Sequence, residues 1–141
     1  MTDLPGTLRA LIESGPLAHL ATINPDGGPQ VSVIWIGLDG DHIVSGHLTL
    51  SQKVRNVQRD PRVTLSFDAP RRPGAFLAEH AVLRCTTTVE TTGARGLLER
   101  LGKVYVDPGF EFPAPPDASG YLLRYTVERI GGIGPWTAAH P

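Results

Sequence analysis

Apolar positions change period several times along the chain, and each change marks an element. Leu4, Leu8, Leu11 and Ile12 recur at helical spacing over residues 4–14 until Gly15-Pro16 stops the pattern, which predicts a short amphipathic opening helix. Residues 17–23 (LAHLATI) have β-compatible composition, and Asn24-Pro25-Asp26-Gly27-Gly28 is dense turn chemistry before the run PQVSVIWIGL at 29–38. Together these predict a hairpin. In the second run Val31, Val33 and Trp35 alternate with Ser32, Ile34 and Ile36, so both faces are largely apolar and the strand is expected to be covered on both sides. Asp39-Gly40 then turns the chain into a third strand at 42–46.

The segment TLSQKVRNVQRDPR at 49–62 has a different character. Thr49 and Gln52 fit a capping box, Val54 and Val57 can face a core, and Asp60-Pro61 ends the helix. RVTLSFD restores strand alternation, with Val63, Leu65 and Phe67 on one face. The turn-rich APRRPGA leads to a long predicted strand at 76–90, and a helix follows at 94–106, weakened by Gly96 and Gly102. An irregular loop, VDPGFEFPAPPDAS, precedes a last strand, YLLRYTVERIGGI. The order is helix, three strands, helix, two strands, helix, strand. Consecutive hairpins with few crossover helices predict an α+β, mainly β, antiparallel barrel with short flanking helices rather than a doubly wound sheet.

At 141 residues the chain has the size of one domain, taken as residues 1–141, and 40% hydrophobic residues suffice for one core. Thirteen basic against fourteen acidic residues give a net charge of −1, so no global field draws the chain to nucleic acid or an anionic membrane. The single cysteine, Cys85, cannot form an internal disulfide, and the N-terminal residues lack both a basic start and a long apolar run. A reducing cytoplasm is the expected location.

The segment richest in chemistry is Ser51-Gln52-Lys53-Val54-Arg55-Asn56, which follows a strand and opens a helix. A helix N-terminus exposes unpaired N–H groups and partial positive charge, so it suits a phosphate when a cation stands nearby. Lys53 and Arg55 supply that cation, but a solvated helix face fits the same residues and the segment alone leaves both open. LATINPDGGPQVSVIWIGLDGDHIVSG followed by SQKVRNVQRDPRVTLSF resembles the FMN- or F420-binding split β-barrel proteins related to pyridoxamine 5′-phosphate oxidase. The likeness is good over residues 5–90 and looser beyond; its most specific part is KVRNVQRDPRV at 53–63.

The resemblance implies a cofactor whose phosphate-bearing tail lies on Ser51, Gln52, Lys53 and Arg55. It implies a ring against Gln30, Val31, Ser32 and Val33, with Ser45, Gly46 and His47 at the facing strand end. VSVIW would give such a ring an apolar wall with backbone groups for its polar edge. The likeness to the deazaflavin branch favours coenzyme F420 over FMN, with Arg55, Arg59, Arg62, Arg71 and Arg72 along the exit of a polyanionic tail. The implied activity is that of an F420H2-dependent reductase passing a hydride to a small organic acceptor. The alternatives are an FMN-dependent oxidoreductase and a non-catalytic binder of a flavin-like or haem-like ligand. The resemblance also implies a homodimer in which Trp136, in a Gly/Pro-rich tail with few packing alternatives, reaches the partner's cofactor groove.

The remaining residues narrow the field. His19, His42, His47, His80 and His140 show no metal-ligand spacing, so no metal site is expected. No nucleophile elbow or Ser/His/Asp order is present, and no catalytic side chain is identified. Cys85 reads as a small buried hydrophobe, Trp35 as a core or interface residue, and Phe110 and Phe112 as pocket walls or loop staples.

Overall fold

The computed structural model describes residues 1–115 and 117–137; His140 lies outside them. Its elements run α1 (Gly6–Glu13), β1 (Ala18–Ile23), β2 (Pro29–Ile34), β3 (Gly37–Asp39), β4 (His42–His47), α2 (Gln52–Arg59), β5 (Arg62–Asp68), β6 (His80–Glu90), α3 (Ala94–Tyr105) and β7 (Tyr121–Ile133). The strands form one seven-stranded sheet in the order β2-β1-β5-β6-β7-β4-β3. Every neighbouring pair is antiparallel. β2 and β3 stand at opposite ends of this order, yet only Trp35 and Ile36 separate them in the chain. Three Cα–Cα steps reach about 11 Å. The sheet must therefore curl until its two edges nearly meet, which makes it the expected antiparallel split barrel.

Local sequence explains the hairpins. In the β1–β2 turn Asn24 N–H donates to Gly28 O at 2.8 Å, and Gly27 takes a φ of 86° that side chains disfavour. Period-two burial then fills the barrel: Val63, Leu65 and Phe67 of β5 point inward and lie directly across from Cys85, Leu83 and Ala81 of β6. Leu8, Leu11 and Ile12 of α1 join this core, as do Ile43, Leu123, Tyr125 and Trp136. A smaller cluster, Val44, Leu97, Leu101 and Leu122 with Trp35 and Tyr105 against it, lies between α3 and the barrel wall. Among the described residues no helix is long and apolar enough to cross a membrane.

Three expectations need correction. The run 29–38 is two strands, not one, because the chain breaks from the ladder at Trp35-Ile36, where the Trp35 indole stacks on Tyr105 with ring centroids 5.2 Å apart. Its outer face is left open by this chain alone, with Val31 and Val33 60% and 56% exposed on an edge strand, so any cover expected there has to come from outside the chain. The strand expected from residue 76 begins at His80, and Phe76 and Leu77 lie exposed in the preceding loop despite their hydrophobicity. The N-cap of α2 is Ser51, not Thr49, and no side chain caps that helix.

Candidate functional site

α2 is fixed on the β1–β2 hairpin by one buried amide. Asn56 Nδ2 donates to Thr22 Oγ1 at 3.0 Å and to Asn24 Oδ1 at 2.9 Å, while its Oδ1 accepts from Gln52 Nε2 at 2.8 Å and Arg59 Nη1 at 3.3 Å. Thr22 Oγ1 passes its own proton to Gln30 Oε1, 3.2 Å away. Asn56 is fully buried and its amide is engaged on both sides, as a buried polar group requires. Arg59 Nη2 adds a hydrogen bond to Ile23 O. The first turn of α2 is thereby held beside the end of β2.

A cleft of about 310 Å3 opens there. Val33, Ile34 and Trp35 form one wall, Gly46 and His47 from the end of β4 another, and Leu98 of α3 the floor; Leu17, Lys53 and Phe112 complete it. The wall is braced from behind. Tyr105 Oη donates to Pro16 O at 2.6 Å and accepts from Ile36 N–H at 3.1 Å, which fixes the ring on which Trp35 stacks. Phe110 meets Trp35 edge-on at 6.3 Å, and the loop carrying Phe110 and Phe112 is tied to α3 by Lys103 Nζ to Phe110 O at 2.9 Å and Phe112 N–H to Glu99 Oε2 at 2.6 Å. Gly46 stands in close quarters: a Cβ there would lie 3.0 Å from both Ala94 O and Leu98 Cγ, so a side chain would make its neighbours shift.

The cleft is electropositive. No carboxylate lines it, and Lys53 has no acidic partner among the described residues. Ser51 Oγ, at the uncapped start of α2, is buried with no hydrogen-bond partner among the described residues. Burial, reinforced by the Lys53 charge, lowers His47 to about 4, so its imidazole is neutral at pH 7. His47 Nε2 lies 2.8 Å from Ser45 Oγ, which in turn lies 2.7 Å from Tyr125 Oη.

The residues expected to bind a cofactor therefore divide. Val33, Gly46, His47 and Lys53 line one cleft, with Ser51 at its helix terminus. Gln30 and Gln52 are engaged in the Asn56 network. Val31 is exposed on the outer face, Ser32 is half-buried opposite Leu20, and Arg55 is exposed on α2 away from the cleft lining. Ser45 is fully buried behind His47 rather than facing the cleft. Trp136 is also corrected: its indole is 4% exposed, packs into its own core and donates to His80 O at 3.2 Å. Of the arginines expected along a tail exit, Arg59 is bonded to Ile23 and Asn56, Arg62 pairs with Asp60 and Arg72 with Glu79. Sequence reasoning missed Tyr105, Leu98 and Tyr125, whose roles depend on contacts across many residues; Asn56 sat inside the resembling segment without an assigned task.

Residues 4–132 match the family model described as pyridoxamine 5′-phosphate oxidase. A solved structure of an F420 reductase superposes with a TM-score of 0.75 and 26% identity, covering 91% of this chain and 98% of its own. The haem storage protein HutZ of Vibrio cholerae gives 0.62 and 15% identity over 94% of this chain and 96% of its own. HupZ of Group A Streptococcus gives 0.66 and 17% over 92% and 93%. At those two identities the likeness is one of fold alone. No curated protein matches the chain.

Proposed function

The chain belongs to the pyridoxamine 5′-phosphate oxidase family, and from that premise we propose that it is an oxidoreductase holding coenzyme F420 in the cleft between β2, β4 and α2. The observation that carries the proposal is one juxtaposition. An aromatic and aliphatic wall, Val33, Trp35 and Phe112, stands beside Lys53, which has no acidic partner among the described residues and sits in the first turn of a helix that no side chain caps. Those donors fit a phosphate, and the wall fits a flat ring. The F420 reductase likeness at 26% identity supports the deazaflavin over FMN. A bound deazaflavin supplies the hydride for a small organic acceptor. The chain's own residues then have to bind, orient and exclude water: Lys53 and Ser51 anchor the phosphate, Trp35 and Phe112 wall off solvent, and neutral His47 offers a hydrogen bond.

A cleft of about 310 Å3 lies at the small end of ligand sites, which run to roughly 1,000 Å3. We propose that a second copy completes it, forming a homodimer through the exposed outer face of β2. A cytoplasmic location is part of the same reading, and the buried free thiol of Cys85 suits a reducing compartment.

Titration with F420 and with FMN, each followed by fluorescence, tests the cofactor. F420 is expected to bind more tightly; tight FMN binding with no F420 response would falsify the deazaflavin assignment. A second reading, a non-catalytic binder of a flavin-like or haem-like ligand, is favoured because Lys53 and the neutral His47 are the only titratable groups lining the cleft among the described residues. Reduced cofactor oxidised no faster with protein than without, across quinones, enones and tetrapyrroles, would select that reading.

A further inference from the structure

We infer that the buried Tyr125–Ser45 pair holds His47 in its Nδ1–H tautomer, making it a fixed hydrogen-bond donor to a carbonyl oxygen or unprotonated ring nitrogen of a ligand in the cleft. The argument is a count of protons. Tyr125 is fully buried, and among the described residues its Oη has one partner, Ser45 Oγ at 2.7 Å. Burial pushes the phenol well above its ordinary range, so it keeps its proton. A buried O–H needs an acceptor, and Ser45 Oγ is the one in reach. Ser45, also fully buried, then has one proton of its own to give, and His47 Nε2 stands 2.8 Å away to take it.

An Nε2 that accepts carries no hydrogen. Since burial and the Lys53 charge keep the ring neutral, its proton sits on Nδ1. The opposite direction, His47 to Ser45 to Tyr125, would leave the phenol proton aimed at nothing. His47 Nδ1 has no partner among the described residues, and the ring borders the cleft with Val33, Lys53 and Phe112. A histidine in water exchanges between two tautomers; here two hydroxyls on neighbouring strands select one. The site should therefore favour a ligand presenting an acceptor at this point and disfavour one presenting N–H. Contact with a cofactor ring rests on the reading proposed above; the tautomer does not.

Long-range 1H–15N correlation spectra of the labelled full chain at pH 7 test the tautomer directly. Protonated Nδ1 and bare Nε2 are expected for His47, and an Nε2–H tautomer or a rapid average overturns the inference without recourse to any variant. In Tyr125→Phe the selection should relax towards a mixture, and an unchanged tautomer in the folded variant overturns the role of Tyr125. F420 or FMN should shift the His47 Nδ1–H signal, with affinity falling about fivefold in Tyr125→Phe. Binding without a shift overturns the contact. If neither cofactor binds, the contact and the cofactor reading fall together while the tautomer measurement stands, so the two failures are distinguishable.

Discussion

Protonating His47 in the folded chain means placing a cation in a half-buried site beside Lys53, and stability must register that cost. The group is lowered from 6.5 to about 4 on folding. As pH falls through that window the unfolded chain takes up a proton that the folded chain refuses, so stability is lost between about pH 6.5 and 4 and levels off below. We expect the wild type to lose on the order of 1–3 kcal/mol relative to His47→Gln between pH 7 and 4, read by urea unfolding at each pH. A constant difference would remove the burial argument. Asp60 does not confuse this test: Arg62 beside it lowers its carboxyl from 3.8 to about 2, so its contribution is lost only below the histidine window. Lys53→Ala should weaken cofactor binding ten- to hundredfold, about 1.5–3 kcal/mol for a charge-assisted contact, while the unfolding midpoint stays in place. An unchanged dissociation constant at low salt would take Lys53 out of the site. Sequence made Lys53 legible because a helix start advertises its chemistry locally. Ser45 was misjudged because it lies one step further into the barrel than His47: period two turns Ile43 and Ser45 to the buried interior, and only His47, at the strand end, reaches the cleft from that side.

The latch between α2 and the first hairpin is the element on which the cleft depends. Asn56→Leu would leave Thr22, Asn24 and Gln52 without their shared partner in a buried place. A loss of about 2–4 kcal/mol is expected from the stranded groups, measured by chemical unfolding, and a change below about 0.5 kcal/mol would show the network to be dispensable. In α3 the test is Gly102→Ala. Alanine favours the helix by about 1 kcal/mol, but its Cβ would meet the Phe110 ring at 2.2 Å, so Phe110 must leave its edge-on contact with Trp35. Trp35 emission should change in a Trp136→Phe background, where it is the sole indole. Elements built from local signals, such as α1, β1, β5 and β7, could be read from spacing and turn chemistry alone. The split of the 29–38 run could not, because what pulls Trp35 out of the ladder is Tyr105, far along the chain. Phe76 and Leu77 misled for the opposite reason: apolar residues extended the pattern, but the chain joins the sheet only at His80.

For the molecule as a whole, the exposed Leu17, Val31 and Val33 leave an apolar area beside the cleft that a second copy would bury. Light scattering at micromolar concentration should give about twice the 15.1 kDa of one chain. A monomer that still binds cofactor with full affinity would show both the dimer and the shared site to be wrong. The strand order has a further consequence, for the growing chain. β1 can pair with β5 once residue 68 has emerged, but β4 must wait for β7, its inner neighbour, from Ile43 to Tyr125. During synthesis the β3–β4 hairpin therefore exists for most of the chain's elongation as an unpaired edge carrying Ile43 and Val44. Long-range pairing of this kind is slow and open to aggregation. The barrel thus closes only once β7 has emerged, and until then the apolar β4 edge is the nascent chain's point of exposure to aggregation.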